Sequence, residues 1–205
     1  MKVDVYNIKG ESTGRTVELP DAIFGIEPNE HVIYLAVKQF LAGRRSGTHK
    51  TLEKSELSGS TRKLHKQKGT GGSRKGSIKN PLFKGGARIF GPQPRDYSFK
   101  LNKKVKDLAK FSALSTKMAA SAIKVVEDFN FEQPKTKEFI AVLKGFGLEN
   151  KKTLLILPEL NDNVYLSSRN LKNTSIGLAN SLNTYEIMNN NTILIAEKSI
   201  ETFEK

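Results

Sequence analysis

No cysteine occurs in the 205 residues, so neither a disulfide nor a thiolate metal site is open to this chain. That absence is compatible with a reducing compartment. Runs of 18 or more apolar residues are missing too, and the opening MKVDVYNIKG lacks the apolar core of a signal peptide. The simplest expectation is a soluble cytoplasmic protein. Histidine is scarce: His31, His49 and His65 share no ligand spacing, and no metal site is expected from them. The most telling gap is in charge of one sign. From Leu57 to Arg95 there is no Asp or Glu, against ten Lys or Arg.

Dividing the net charge of +13 shows what that gap means. Residues 43–106 hold 18 Lys and Arg and 3 Asp and Glu, a net of +15, while the rest of the chain holds 16 and 18, a net of −2. All of the excess therefore sits in one internal segment, and self-repulsion on that scale calls for a polyanion. An anionic membrane would need an amphipathic helix with bulky apolar residues, and RKLHKQKGTGGSRKGSIK, Arg62 to Lys79, has no such face. Nucleic acid is the favoured partner. The segment is also too long and too rich in glycine to be an ordinary connection, since structureless loops beyond about 12–15 residues are uncommon in compact domains and usually functional. A passive solvated stretch is the alternative. Against it, the run is tethered at both ends and carries isolated Ile78, Leu82, Phe83, Ile89 and Phe90, which can pack or stack on bases.

The flanking sequence is regular. Lys2 to Ile8 and Arg15 to Leu19 read as a strand pair around the turn Lys9-Gly10-Glu11. A helix is expected over Glu30 to Ala42, with Ile33, Val37, Phe40 and Leu41 as its apolar stripe, Asn29 as N-cap and Gly43 as C-cap. A second is expected from Lys103 to Ala120, capped by Asn102, with Val105, Leu108, Phe111 or Ser112, and Met118 inward. Ile123 to Glu127, Thr153 to Leu157, Thr174 to Ile176 and Thr192 to Ala196 read as short strands. Between and after them come a helix past Pro134 with Phe139, Ile140, Leu143 and Phe146 inward, ended by Gly145 and Gly147, and helices over Asp162 to Leu171 and Ser199 to Glu204. Short apolar strands alternating with amphipathic helices predict an α/β fold: a mostly parallel sheet with flanking helices, plus one long extended basic loop. No internal repeat is evident. Residues 1–42 and 96–205 are expected to form a single globular domain, with 43–95 as the loop inserted in it.

Enzymatic readings find little support in the residues. The only glycine-rich candidate is GTGGSRKG, Gly69 to Gly76. A phosphate-binding loop needs G-x-x-x-x-G-K-[ST] between a strand and a helix, but after Gly71 and Gly76 the chain has Ser77 and Ile78. Arg74 stands where the dinucleotide fingerprint needs its third glycine. Ser115, Asp128 and Glu159 could be picked as catalytic groups, yet nothing in their spacing separates them from ordinary residues. No catalytic residues, cofactor or small-molecule substrate are expected. An α/β enzyme acting on RNA, such as a methyltransferase with the loop as substrate arm, and a free-standing regulatory RNA binder remain the alternatives.

Within the loop, Arg44-Arg45-Ser46-Gly47-Thr48, Lys50-Thr51, Gln67-Lys68-Gly69-Thr70-Gly71, Gly76-Ser77-Ile78 and Pro81-Leu82-Phe83-Lys84-Gly85-Gly86 occur in a fixed order. Outside it stand Asn102-Lys103-Lys104, Pro134-Lys135-Thr136-Lys137, Arg169-Asn170, Leu182-Asn183 and Tyr185. Together these closely resemble the bacterial large-subunit ribosomal protein four family over essentially the whole chain. The basic C-terminal extensions of archaeal and eukaryotic relatives are not seen, which points to the bacterial branch. The resemblance implies an α/β domain on the outer surface of the large subunit in the cytoplasm. It also implies a long loop threading ribosomal RNA, with its tip helping to line the nascent-peptide exit tunnel. Implied partners are large-subunit ribosomal RNA, neighbouring large-subunit proteins and, near the tip, the nascent peptide. Gln67, Lys68, Gly69, Thr70 and Gly71 match the tip. One departure is Gly72, where many members have Arg; Arg74 and Lys75 could supply the charge instead.

The residues expected on RNA are Arg44, Arg45, Thr48, Lys50, Arg62, Lys63, Lys66, Gln67, Lys68, Gly69, Thr70, Gly71, Arg74, Lys75, Ser77, Lys79, Lys84, Arg88, Arg95, Lys103 and Lys104. Arg forks match phosphate oxygens, Lys supplies point charges, and glycine lets backbone approach RNA closely. Were the loop to run out and back, each arm of about 25 residues could reach at most roughly 80 Å.

Overall fold

The computed structural model describes residues 1–203. Its elements run β1 (Lys2–Tyr6), β2 (Ser12–Glu18), α1 (Asp21–Phe24), α2 (Glu30–Gly43), α3 (Lys103–Ala119), β3 (Ile123–Val126), α4 (Thr136–Gly145), β4 (Thr153–Leu157), α5 (Asp162–Ser168), β5 (Thr174–Leu178), a 3-10 turn (Ala179–Ser181), α6 (Thr184–Asn189), β6 (Thr192–Ala196) and α7 (Ser199–Phe203). Internal contacts divide the chain into two units: Met1–Leu41 with the chain from Lys100 on, and Ala42–Phe99.

The first unit holds one six-stranded sheet in the order β2-β1-β3-β6-β4-β5. Only β1 and β2 pair antiparallel; β1 with β3, β3 with β6, β6 with β4 and β4 with β5 are parallel. The α/β reading therefore holds. TLLIL in β4 and TILIA in β6 are buried at every position, because they are central strands covered on both faces. Their side chains alternate between two cores, as a strand's period of two requires. Leu154, Ile156, Ile193 and Ile195 enter a cluster with Phe24, Ile33, Leu114 and Ile187, whereas Leu155, Leu157, Leu194 and Ala196 enter one with Phe139, Val142, Phe146 and Val164. Each such side chain contributes about 1.5–3 kcal/mol on burial. Helices α1, α2, α3, α6 and α7 cover the first face, α4 and α5 the second.

Several expectations are corrected. In α3 the buried residues are Ala109, Ser112, Ala113, Leu114 and Ser115, while Leu108 is exposed and Val105 half-buried. The inner face combines the small Ala109, Ser112, Ala113 and Ser115 with Leu114, and Phe111 and Met118 pack at its margin. Leu41 is exposed on α2, whose buried residues are Ile33 and Ala36, and on α4 Val142 rather than Ile140 is buried. Helix α5 stops at Ser168, β5 runs on to Leu178, and α1, α6 and the 3-10 turn were not anticipated; all three are too short to show a 3.6-residue period. Strand β1 ends at Tyr6 and β2 begins at Ser12. Asn29 caps α2, its Oδ1 accepting from Val32 N at 3.1 Å. The Asn102 side chain makes no cap bond; its main-chain carbonyl accepts from Val105 N and Lys106 N at 3.1 and 3.2 Å. Glu204, expected to end the last helix, lies outside the described residues.

One backbone contact joins the β1–β2 turn to the end of α4. Gly10 has φ +83°, and a Cβ there would overlap the Gly145 carbonyl; a Cβ on Gly145 would overlap the Lys9 carbonyl. Gly14, at φ +72°, has open space around it. Gly10→Ala is expected to destabilise by about 2–4 kcal/mol through φ strain plus overlap, and Gly14→Ala by only about 1–2 kcal/mol. Chemical denaturation of both variants checks the difference, and equal losses would remove the close approach as its cause.

Candidate nucleic-acid interface

Residues 44–102 contain neither helix nor strand, as glycine, proline and unpatterned charge dictate. The arms of this segment are nevertheless cross-linked. Arg95 N donates to Gly47 O at 3.2 Å, Thr51 N to Pro92 O at 3.0 Å, Arg88 N to Leu52 O at 3.1 Å, and Leu64 N to Gly76 O at 3.1 Å. Side chains add rungs: Gln93 Nε2 donates to Glu53 Oε1 at 2.9 Å and Ser77 Oγ to Ser60 O at 3.0 Å. The chain thus runs out through 47–64, turns over 65–75 and returns through 76–97. Glycine is required where the arms touch. Gly47 has φ +61°, and a Cβ there would overlap the Arg95 carbonyl; a Cβ on Gly91 would overlap Thr51 Oγ1.

The turn contains Gln67, Lys68, Gly69, Thr70 and Gly71, all exposed. Gly69 and Gly71 take φ +81° and +64°, and Gly71 and Gly72 have open space around them. Lys63 donates to Gln67 Oε1 from the outgoing arm. Of the remaining predicted residues on the arms, Arg44, Arg45, Thr48, Lys50, Arg62, Lys66, Arg74, Lys84, Arg88 and Arg95 are exposed, and Lys75, Ser77 and Lys79 half-buried. Lys103 and Lys104 are exposed in the first turn of α3, in the other unit.

Two carboxylates within the segment are already engaged. Glu56 is held below the usual carboxylate range by the Lys50 ammonium and then by the Glu53 N–H. Asp96 is held low by the Ser98 N–H at 2.8 Å, then by its hydroxyl at 2.7 Å. Both stay charged and tied down, so most of the loop's cations keep their charge facing solvent.

Apolar groups face solvent as well. Phe90 is 103 % exposed with φ +54° and Leu82 89 % exposed. A non-glycine residue held left-handed costs about 1–2 kcal/mol, and a fully exposed ring recovers nothing by burial.

The feature the sequence reasoning missed is Tyr97. Its ring centroid lies 3.8 Å from Arg45 Cζ and 4.5 Å from Arg95 Cζ, and its hydroxyl lies 3.1 Å from His49 Nε2. An aromatic two residues after Arg95 was the available signal. RDYSF places two aromatic residues two and four positions after Arg95.

At the carboxyl ends of the parallel strands, where an α/β enzyme would bind its ligand, Asp128 and Glu197 are engaged and Glu159 is exposed. Asp128 Oδ1 accepts from Lys198 N at 3.4 Å, and Glu197 pairs with Arg15 at 3.4 Å. Ser115 is buried in α3, its hydroxyl donating to Ile23 O at 3.3 Å. Among the described residues no group of three or more His, Asp or Glu is placed to hold a metal, and no helix is long and apolar enough to cross a membrane.

Comparison with known proteins gives the chain's relatives. A model of the ribosomal protein L4/L1 family matches residues 17–205. The chain is 57 % identical over 204 residues to large ribosomal subunit protein uL4 of Phocaeicola vulgatus, covering 100 % of this chain and 98 % of that one. It is 58 % identical over 205 residues to the uL4 protein of Flavobacterium johnsoniae, with the same coverage. To the uL4 protein of Porphyromonas gingivalis it is 58 % identical over 200 residues, 98 % of this chain and 96 % of that one.

Proposed function

Because the chain belongs to the ribosomal protein L4/L1 family, we propose that it is a non-enzymatic structural constituent of the large ribosomal subunit that binds ribosomal RNA in the cytoplasm. The observation that carries this reading is the cross-linked basic loop. Residues 44–102 contain no helix or strand and hold 15 Lys and Arg against 3 Asp and Glu, nearly the whole net charge of the protein. Residues 1–42 and 96–205 act as the anchoring domain and 43–95 as the RNA-embedded element. Phosphate neutralisation supplies most of the affinity, and RNA shape supplies the fit. Exposed Phe90 and Leu82 offer stacking and packing surface to unpaired bases, which makes up for burial the free protein lacks. Ribosomal RNA and neighbouring large-subunit proteins are the partners. At the turn, Gln67 to Gly71 meet the exit tunnel and the nascent peptide; open space around Gly71 and Gly72 suits a narrow passage.

The test is limited proteolysis of the free protein and of assembled large subunits. Cleavage within 62–79 is expected to slow by at least about tenfold on assembly, because ordering on RNA removes the accessible backbone. Equal rates in the two states would sink the RNA-embedded reading. Crosslinking of Lys68 in assembled ribosomes to a stalled nascent chain tests the tunnel assignment separately.

A further inference from the structure

Arg45 and Arg95 are far apart in sequence, yet both guanidinium carbons lie within 4.5 Å of the Tyr97 ring centroid. The Arg95 N–H bond to Gly47 O holds the two arms together at this point. Side chains at Gly47 would prevent it. Two like charges on one ring repel, and the ring's quadrupole offsets only part of that. Among the described residues neither guanidinium has an ion-pair partner. Asp96, next to Arg95 in sequence, is instead turned onto the Ser98 amide and hydroxyl. A guanidinium held against an aromatic ring keeps in-plane N–H donors free for an anion. Both arginines are exposed, so an anion can reach them from solvent.

We propose that Arg45 and Arg95, stacked on Tyr97 where the loop's arms close, form a clamp for a single RNA phosphodiester, with Tyr97 as the positioning residue. The inference rests on the RNA-binding reading above and adds a defined site to it. Each fork would place its N–H groups about 2.7–2.9 Å from phosphate oxygens, and with Cζ atoms 3.8 and 4.5 Å from one ring centroid the two forks would take the two non-bridging oxygens of one linkage. His49, on the Tyr97 hydroxyl, steadies the ring.

The test uses the full-length protein and in vitro transcribed bacterial large-subunit ribosomal RNA, with affinity read at fixed salt. Tyr97→Ala removes no charge, and the double variant Arg45→Lys with Arg95→Lys keeps both charges but loses the forks. Each is expected to bind about tenfold more weakly, because positioning and fork geometry are lost. Tyr97→Phe keeps the ring and is expected to bind within about twofold of wild type. Wild-type affinity in the double lysine variant would overturn the clamp while leaving the RNA reading intact. That variant leaves Tyr97 and Gly47 in place, so it decides the matter even if Tyr97→Ala loosens the loop. Failure of the wild type itself to bind this RNA would overturn the RNA reading, and the clamp with it.

Discussion

Excising residues 46–95 and joining the ends by a short glycine-serine linker is expected to leave a cooperatively folding α/β domain that no longer binds ribosomal RNA tightly. Every member of the two hydrophobic clusters lies outside residues 42–99, so the shortened protein keeps both clusters. Closing a shorter loop costs less entropy, not more, since the cost grows with the logarithm of loop length. The excised piece takes with it 12 of the 34 basic residues and only 2 of the 21 acidic ones. Its loss should lower RNA affinity at 100 mM salt by at least about 10³-fold. Circular dichroism through a thermal melt checks the fold, and filter binding checks the affinity. A broad, non-cooperative melt would count against the anchoring-domain division; undiminished binding would place the RNA contacts elsewhere.

Neutralising the turn region without shortening it should separate charge from shape. Replacing Arg62, Lys63, Lys66, Lys68, Arg74, Lys75 and Lys79 by glutamine keeps chain length and the four glycines at 69, 71, 72 and 76. Each phosphate contact contributes a slope of about −0.7 to −0.9 in log K against log salt. The magnitude of that slope should therefore drop by roughly 5–6 if all seven cations meet phosphate, and affinity at 100 mM salt by about 10³-fold or more. Stability should change little, within about 0.5 kcal/mol, because these side chains contribute nothing to either core. Binding isotherms between 50 and 200 mM salt give the slope. An unchanged slope would mean that the cations point away from RNA in the complex.

The elements that were legible in the sequence are those whose pattern is set locally. Strands β4 and β6 were read at their observed bounds, since a run of branched apolar residues between turn signals has few alternatives. Helix α2 was read within a residue, because Asn29 supplies the cap and Ile33 opens the stripe. By contrast, the inward face of α3 was read only in part. Ser112 is buried and Phe111 and Met118 pack against the core as expected, but Leu108 faces solvent and Ala109, Ala113 and Leu114 take the inner positions. The short helices α1 and α6 escaped for want of length. In the loop, every basic residue was visible but no pairing between arms was, because most rungs involve main-chain groups common to all residues and the side-chain ones join residues about 17 to 48 apart.

Charge segregation was decided by the sequence alone, as was the exclusion of disulfide, thiolate-metal and phosphate-loop chemistry. These depend on which residues are present and in what order, and folding cannot change them. Only the tertiary structure decided that the acid-free segment is bound arm to arm, and that Arg45 and Arg95 meet on Tyr97. That meeting depends on Gly47, whose missing Cβ lets two distant stretches of backbone approach within hydrogen-bonding distance. Contacts between residues so far apart in the chain are set by the path of the backbone between them, and no local pattern records that path.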